Sequence, residues 1–348
     1  MEDIKKYYNN KKVFITGITG FKGSWLALLL HKLGAKVSGL GLLEDKEGIF
    51  EKSEITSFAP VYIENICSKL SKDVEEEILQ SDIIFHLAAQ PLVSEGYKNP
   101  YETFQTNLMG TIQILELLKK PTKEVVFFNV TTDKVYQPSK FSHKEDDVLF
   151  GKDPYSLSKS FSDMATQMYK ENILPKNVKI YTARAGNVLG GGDRSKDRIS
   201  TDIYNHVFYC NKILTIRNPY SIRPYQYVLD CVMQYILLPV SDKPSSYNIG
   251  PEKGEVVTTI DLIDFFAKQY GKIEYVITKS DIGKENQTLT LNTEKTKFVL
   301  NKEPYCRNID DVTKLTASYE KAFRFDTETG KKEIARQLDL FIKHYTGE

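Results

Sequence analysis

Apolar residues fall along the first half of the chain in two alternating patterns. Apolar residues recur at helical spacing in three segments, which predicts helices at 21–33, 101–118 and 154–169. Short apolar runs between them predict buried strands at 13–15, 36–40, 83–85, 125–130 and 178–183. Alternating strands and helices with right-handed crossovers produce a parallel sheet that is covered on both faces. The pattern therefore predicts an α/β fold with a doubly wound parallel sheet.

The alternation ends near residue 186, where a glycine-rich turn follows the last predicted strand. Farther on, 230–237 has helical spacing and 247–249 is typical of one more strand, while the remainder mixes short strands and helices. We therefore expect two lobes around one cleft. The predicted division is a first domain at 1–186 with 229–250 returning to it, and a smaller α+β lobe for substrate binding at 187–228 and 251–348.

The segment TGITGFKG joins the first predicted strand to the first predicted helix. Its glycines, Gly17, Gly20 and Gly23, permit a tight turn and close approach of the backbone to a pyrophosphate, as in a Rossmann-type dinucleotide site. A simple strand–helix turn is the alternative. An acidic residue about twenty positions on favours NAD, and an arginine favours NADP. The second strand ends in SGLGLL with neither, and Glu44 comes slightly late. NAD is the expected cofactor, with NADP as the alternative.

Tyr155 and Lys159 lie four positions apart after the helix start at Asp153 and Pro154, so they share one helix face. We expect the lysine cation to lower the pKa of the Tyr155 phenol. A phenolate here would take a proton from a substrate hydroxyl while a hydride leaves the same carbon for nicotinamide. The same spacing is common on exposed helix faces, which is the alternative interpretation.

Thr132, Asp133 and Lys134 follow the strand at 125–130, at the carboxyl end where ligands bind in open α/β sheets. Thr132 is a candidate to hydrogen-bond the reacting hydroxyl beside Tyr155. Asp133 and Lys134 add an acid–base pair that a plain dehydrogenase does not need. A salt-bridged turn of little energetic weight is the alternative. These three residues, with Tyr155 and Lys159, form the predicted catalytic site.

Composition narrows the classes of partner. The 348 residues are 41% hydrophobic and 27% charged, with a net charge of +1, so a packed core is expected and neither nucleic acid nor an anionic membrane is. No metal site is expected, because the cysteines form no CxxC pair and the histidines are scattered. We expect reduced thiols and a cytoplasmic protein, since no segment is apolar and long enough to be a signal core or a membrane span. The cysteines are Cys67, Cys210, Cys231 and Cys306.

Taken together, the motifs carry a family resemblance over roughly residues 10–250. The segments TGITGFKGSW, HLAAQPLV, TTDKVY, DPYSLSKS, ARAGNVLGGGD, IRNP and RPYQYVL occur in the order found in CDP-glucose 4,6-dehydratases. These enzymes belong to the extended short-chain dehydrogenases that act on sugar nucleotides. The lysine after Thr-Asp resembles this branch in particular, because the dTDP-glucose and GDP-mannose dehydratases have a glutamate there.

The resemblance implies a redox-neutral dehydration. Tyr155, assisted by Lys159 and Thr132, would deprotonate the C4 hydroxyl of the hexose while a hydride passes to the cofactor. Asp133 would protonate the departing C6 hydroxyl, with Lys134 as the candidate base at C5, although the assignment of the base between these two stays open. The hydride would then return to C6 and give a 4-keto-6-deoxy sugar.

The resemblance also implies binding residues and partners. The expected substrate is a nucleotide-diphosphate hexose, with CDP as the expected nucleotide, and a homo-oligomer is expected, either a dimer or a tetramer, formed through a bundle of helices such as 101–118 and 155–171. The expected cofactor contacts are Gly17, Thr19, Gly20, Phe21, Lys22, Gly23, Asn65, Ile66, Leu87, Ala88, Ala89 and Asn107. The expected substrate contacts are Gln90, Asn187, Arg194, Arg217 and Arg223.

Several positions depart from the family pattern. Ser94 stands where the family tends to have an arginine after HLAAQPLV, and Arg194 stands where GGDW has its tryptophan. Tyr225 and Tyr227 replace the tryptophan and histidine of RPWQHV, and an LGW-type segment is not evident near 298–300. These changes lie on the substrate side and leave three alternatives: a dehydratase of another NDP-hexose, a sugar-nucleotide 4-epimerase, or a non-catalytic NAD(P)-sensing protein.

Overall fold

The computed structural model describes residues 4–43, 47–209, 213–251, 256–278 and 289–347. Its strands are β1 (Lys12–Thr16), β2 (Lys36–Gly41), β3 (Val61–Ile63), β4 (Ile83–His86), β5 (Val125–Thr132), β6 (Val178–Ala185), β7 (Asn187–Leu189), β8 (Leu214–Ile216), β9 (Ile222–Tyr227), β10 (Ser246–Ile249), β11 (Val256–Thr258) and β12 (Tyr275–Ile277).

The helices lie between these strands and at the two ends of the chain. They are α1 (Ile4–Tyr8), α2 (Phe21–Lys32), α3 (Ile49–Lys52), α4 (Lys72–Gln80), α5 (Val93–Lys98), α6 (Pro100–Phe104), α7 (Gly110–Leu117), α8 (Pro154–Asn172), α9 (Ile199–Tyr209), α10 (Val228–Val240), α11 (Thr259–Tyr270), α12 (Glu294–Leu300), α13 (Ile309–Phe325) and α14 (Thr327–Thr346). Single 3₁₀ turns occur at Ile55–Ser57 and Asp133–Val135.

The main sheet is parallel, with the strand order β10-β6-β5-β4-β1-β2-β3. The chain starts in the middle at β1, runs to one edge through β2 and β3, and then returns to β4 on the other side of β1. This order confirms the predicted doubly wound α/β fold. The direction of winding reverses between β1 and β4, which is the position where open α/β sheets bind ligands.

Alternate side chains of each strand point to opposite faces of the sheet, and each face has its own apolar core. Phe128 packs in one hydrophobic cluster and Phe127 in the other. Every residue of β5 is buried, because helices cover both faces of a doubly wound sheet. Most residues of helix α2 are apolar and buried, and the helix packs against α10. Helix α2 therefore lies at the centre of the larger hydrophobic cluster.

The second half of the chain builds two smaller sheets. One has the order β11-β9-β7, and the other pairs β8 with β12. Strand β10 leaves this region and pairs with β6, and helix α10 packs on α2. The C-terminal helices α13 and α14 pack on each other, and α14 also contacts α10. The predicted domain division stays a prediction.

The predicted helix over 101–118 is divided in three. A π-helix at Gln105–Met109 separates α6 from α7, which is the kind of local widening that is frequent at functional sites. Strand β3 and helix α4 were not predicted, and both lie between the predicted strands at 36–40 and 83–85. No helix in the described ranges is long and apolar enough to span a membrane. Cys67, Cys231 and Cys306 are free thiols, while Cys210 and Glu44 lie outside the described residues.

Candidate active site

A cleft of about 1130 Å³ runs along the carboxyl ends of the central strands and continues to β7 and β9 of the smaller sheet. Gly17, Ala88 and Thr132 mark the tips of β1, β4 and β5 on one side, and Asn218 and Thr259 line the other end. Pockets for one drug-sized ligand have volumes of roughly 300–1,000 Å³. The cleft is therefore large enough for two ligands placed end to end.

The turn after β1 leaves no space for side chains at its glycines. Gly17 has a φ of +75°, and a Cβ there would come within 2.8 Å of the Ala88 backbone nitrogen. A Cβ on Gly23 would lie 2.0 Å from the Gly17 carbonyl oxygen. Gly20 caps α2 without a side-chain hydrogen bond, so the first N–H groups of the helix are left for a ligand. These features fit the pyrophosphate of a dinucleotide, and Thr19, Phe21 and Lys22 line the same wall.

His86 ties the tips of β1 and β4 together behind the cleft. Its Nδ1 lies 2.7 Å from Thr16 Oγ1, and its Nε2 lies 3.0 Å from Thr111 Oγ1. Burial, and then the charge of Lys159, lower the pKa of His86 to about 3, so the ring is neutral. The Ala88 N–H donates to the same Thr16 hydroxyl at 3.1 Å. This network fixes the backbone at Leu87–Ala89, which lines the cleft, and the predicted contact of these residues with the cofactor stays a prediction.

Asn107 lies behind the cleft rather than in its lining. Its side-chain oxygen accepts from the Gln90 N–H at 2.8 Å, and its nitrogen donates to the Gln90 carbonyl at 3.0 Å and to Ser158 Oγ at 2.9 Å. The π-helix that contains Asn107 directs this amide inward. Gln90 lines the cleft, but its own amide donates to Thr103 and Leu92. Asn107 therefore shapes the wall through the Gln90 backbone. Asn65 and Ile66 line the end beyond β3.

The predicted catalytic residues come together in the cleft between β5 and the start of α8. Asp153 caps α8, because its carboxylate accepts from the Ser156 N–H at 2.9 Å. The Tyr155 hydroxyl is hydrogen-bonded to Thr132, which itself donates to Asp133 Oδ1 at 2.8 Å. Both the phenol and the carboxylate thus contact one hydroxyl group.

The predicted direction of the Tyr155 pKa is wrong. Burial is the largest influence and raises the pKa of Tyr155 to about 12, while Arg198 and the hydrogen bond with Thr132 offset part of this rise. Lys159 donates instead to the Val130 carbonyl at 2.9 Å. Burial, and then the charge of Lys22, lower the pKa of Lys159 to about 8. Burial is thus the largest influence on the pKa of both groups.

Asp133 is suited to hold a proton. Its side chain is 2% exposed, and Oδ2 has no hydrogen-bond partner among the described residues. Burial raises the pKa of Asp133, although the charge of Lys134 and the hydrogen bond from Thr132 work in the opposite direction. A raised pKa lets a carboxyl group hold its proton to higher pH, which suits a general acid. Lys134 is half-buried beside it and lines the cleft.

The substrate end contains three of the predicted cationic or polar residues. Arg223, on β9, is buried, lines the cleft, and has a charge that lowers the pKa of Asp133. Arg217 lines the mouth of the cleft and pairs with Asp197 at 3.2 Å. Asn187, at the start of β7, also lines this end. All three residues thus line the cleft, and their predicted contact with the substrate stays a prediction.

Arg194 lies elsewhere, contrary to the prediction of a substrate contact. Its guanidinium binds Glu320, with Nη2 at 2.6 Å from Oε2, and lies 3.6 Å over the centre of the Tyr204 ring. It is outside the set of described residues that line the cleft. The partner stands far along the chain on α13, so no local signal indicated this burial.

Arg198 is a cleft residue that sequence reasoning missed. It lines the cleft just before α9, and its charge is the strongest influence that lowers the pKa of Tyr155. The adjacent Asp197 accepts from Ser94 Oγ at 2.6 Å. Ser94 stands where the resembled family tends to have an arginine, and this departure was the available signal that another cation takes part.

Comparisons with known proteins agree with this geometry. A family model described as GDP-mannose 4,6 dehydratase matches residues 14–330. CDP-glucose 4,6-dehydratase of Salmonella typhimurium is 36% identical over 284 residues, covering 77% of this chain and 78% of that protein. GDP-mannose 4,6-dehydratase of Vibrio cholerae is 24% identical, covering 77% of this chain and 74% of that protein.

Solved structures share the fold. UDP-glucuronic acid 4-epimerase from Bacillus cereus, in complex with UDP-glucuronic acid and NAD, aligns with a TM-score of 0.78 at 23% identity, over 89% of this chain and 99% of that one. An NAD-dependent NDP-hexosamine 5,6-dehydratase involved in tunicamycin biosynthesis aligns with a TM-score of 0.74 at 20% identity, over 89% and 97% of the two chains.

Proposed function

The chain belongs to the GDP-mannose 4,6 dehydratase family and is a sugar-nucleotide 4,6-dehydratase, and we propose that it converts CDP-glucose to CDP-4-keto-6-deoxyglucose with NAD. The observation that carries the proposal is the meeting of Tyr155, Thr132 and a buried Asp133 in one cleft. The adjacent Lys134 supports CDP-glucose, since the resembled branch has lysine at this position.

The cleft fits NAD at the end formed by β1, β2 and β4. The turn at Gly17–Gly23 would hold the pyrophosphate, because a Cβ on Gly17 or Gly23 would collide with neighbouring backbone and Gly20 caps α2 without a side-chain hydrogen bond. Asn65 and Ile66 would contact the adenosine end, and Leu87–Ala89 would contact the ribose side. NAD, when bound, supplies the acceptor for the C4 hydride and later returns that hydride to C6.

Tyr155 would remove the proton of the C4 hydroxyl. Thr132 contacts both the phenol and Asp133, so it is placed to orient this hydroxyl. The raised pKa of Tyr155 makes the phenolate costly, and nearby positive charge reduces that cost. Arg198 supplies such a charge from the substrate side, and the Lys159 ammonium adds to it from inside the protein.

Asp133 and Lys134 would carry the elimination of water. Oxidation at C4 acidifies the C5 proton, and the neutral amine form of Lys134 would accept that proton. Asp133, whose pKa is raised by burial, would donate a proton to the departing C6 hydroxyl. An epimerase has no step that needs this pair, so the pair favours dehydration over the epimerase alternative.

Asn187, Arg198, Arg217 and Arg223 would hold the diphosphate of the substrate. They line the same cleft as the glycine turn, and in this proposal the hexose lies between the diphosphate and Tyr155. Guanidinium groups bind phosphate oxygens through paired N–H donors. The near-neutral protein thus supplies positive charge locally, where the ligand needs it.

Mass spectrometry of the product tests the proposed function. The protein would be incubated with NAD and, separately, CDP-glucose, dTDP-glucose, UDP-glucose and GDP-mannose. We expect loss of one water from CDP-glucose, with the other substrates converted more slowly. An unchanged mass with an altered sugar configuration would establish an epimerase, and preferred conversion of another nucleotide would overturn the choice of CDP.

We further propose that a second copy of this chain covers one apolar face. The face lies on α5, α6, the π-helix and α8, and it carries large apolar side chains that are 36–74% exposed: Tyr97, Tyr101, Met109, Phe161, Met164 and Met168. Helix α8 packs on α5, α6 and the π-helix, so these side chains lie on neighbouring elements, and a large exposed apolar surface marks an interaction site. Sedimentation analysis should give a dimer that Met164→Glu converts to a monomer. A tetramer that persists in this variant would contradict the assignment.

A further inference from the structure

The glycine turn after β7 is enclosed by helices from both halves of the chain. A Cβ on Gly190 would lie 2.5 Å from Val228 on α10, and one on Gly191 would lie 2.0 Å from the Tyr319 ring on α13. Trp25 on α2 donates to the Gly191 carbonyl at 3.1 Å. These contacts hold the backbone of Gly190 and Gly191 in a fixed position, where the large sheet meets the C-terminal helices.

Glu320 holds the chain just after this turn. Its Oε1 accepts from the Gly192 N–H and from Arg194 Nη1, both at 2.9 Å, and its Oε2 accepts from Arg194 Nη2 at 2.6 Å. The two side chains are 3% and 8% exposed. A buried ion pair repays its desolvation only with good geometry and extra hydrogen bonds, so it selects one arrangement of the groups more than it adds stability.

The segment that follows is attached again at Asp197. This residue has a φ of +57°, and its carboxylate accepts from Ser94 and from Arg217. Arg198, next along the chain, lines the cleft, and its charge reaches Tyr155. The residues from 193 to 198 are thus held by Glu320 at one end and by Asp197 at the other.

We propose that Glu320 is a positioning residue which, through Arg194, places Arg198 against the diphosphate of the sugar nucleotide. The inference rests on the proposed function. It also explains why an arginine stands where the resembled family has tryptophan, because the guanidinium stacks on Tyr204 of α9 and still reaches α13. In this proposal Arg194 contributes to substrate binding although it does not line the cleft.

Glu320→Gln tests the proposal in the full chain with NAD bound. The amide keeps the size of the side chain but removes the charge that holds the guanidinium. We expect KM for CDP-glucose to rise by about tenfold and kcat to fall by a smaller factor, since Arg198 would bind the diphosphate and its charge also lowers the pKa of Tyr155. Glu333→Gln is the matched control, because this glutamate accepts from Ser318 on α13 and from Arg336 on α14. Its KM should equal that of the wild type.

A double-mutant cycle separates positioning from general loss of structure. In an Arg198→Ala background, Glu320→Gln should add less than about a twofold increase in KM, because both changes act through one contact. Multiplying effects, or an unchanged KM in Glu320→Gln alone, would overturn the proposal. If circular dichroism shows that Glu320→Gln does not fold, Arg194→Lys is measured instead. A wild-type KM in Arg194→Lys would also overturn the proposal. If the wild type prefers another NDP-hexose, the proposed substrate fails, and the same ratios measured with that sugar still test Glu320.

Discussion

Replacing Asp133 with asparagine should separate catalysis from stability. The amide oxygen is able to keep the hydrogen bond that Oδ1 accepts from Thr132 at 2.8 Å, so the geometry of the site is retained. The change removes the proton donor and the charge of a carboxyl group that is 2% exposed and whose Oδ2 lacks a partner among the described residues.

The two effects have opposite signs. Loss of a general acid typically costs about 10²–10⁴ in rate, so kcat for dehydration should fall by that amount with KM little changed. Burial raises the pKa of Asp133 above its ordinary 3.8, which means that the ionised group destabilises the folded protein at pH above its folded pKa. Asp133→Asn should therefore raise the free energy of unfolding by about 1 kcal/mol at neutral pH. This gain should disappear as the pH falls through the folded pKa towards 3.8.

The assay combines product mass spectrometry, the absorbance of reduced nicotinamide on the enzyme, and urea unfolding. Because hydride removal precedes the acid step, reduced cofactor should accumulate in the variant. Asp230→Asn is the control: this carboxyl group is also buried with a raised pKa, but it accepts from the Tyr305 and Cys306 N–H groups. Asp230→Asn should lower the free energy of unfolding and leave kcat unchanged. The reasoning is refuted if Asp133→Asn retains more than a tenth of the wild-type kcat, or is less stable than the wild type at neutral pH.

Three further outcomes are expected. Gly23→Ala should weaken NAD binding by at least about tenfold, measured by calorimetry, because the new Cβ would collide with the Gly17 carbonyl; unchanged affinity would contradict this placement of the pyrophosphate. Lys159→Met should raise the free energy of unfolding below pH 8, and the gain should vanish as the pH rises towards 10.5, because burial lowers the pKa of Lys159 from 10.5 to about 8; urea titrations that show a constant difference would disagree. Asp163→Ala should lower the free energy of unfolding by about 3–5 kcal/mol, since it leaves the buried Arg184 guanidinium unpaired; a loss below about 1 kcal/mol would count against this.

The large sheet was predictable because its strands are buried on both faces and therefore appear as short apolar runs. The predicted strand at 125–130 became β5, and the predicted helix at 154–169 became α8, each extended by a few residues. Strand β3 is different, because it lies at the edge of the sheet and its three residues are only partly covered. An edge strand of this length leaves little pattern in the sequence.

Contacts between distant parts of the chain limited the prediction of the site. The catalytic motifs lie at strand ends and helix starts, where local spacing indicates the geometry. Arg194 and Arg198 stand in one short segment and look alike in sequence, but Glu320 removes the first from the cleft while the second lines it. The sign of the Tyr155 pKa shift depends on how deeply the phenol is buried, which the spacing to Lys159 does not reveal.

Because β10 comes late in the chain, the main sheet is completed only late in synthesis. Strand β6 ends at Ala185, but its outer neighbour begins only at Ser246. While the ribosome makes the intervening residues, the edge of β6 presents unpaired backbone groups and buried-type side chains. A chain that terminates between β6 and β10 would expose an unpaired, aggregation-prone strand edge. Such a truncated chain should therefore aggregate rather than form a stable nucleotide-binding fragment.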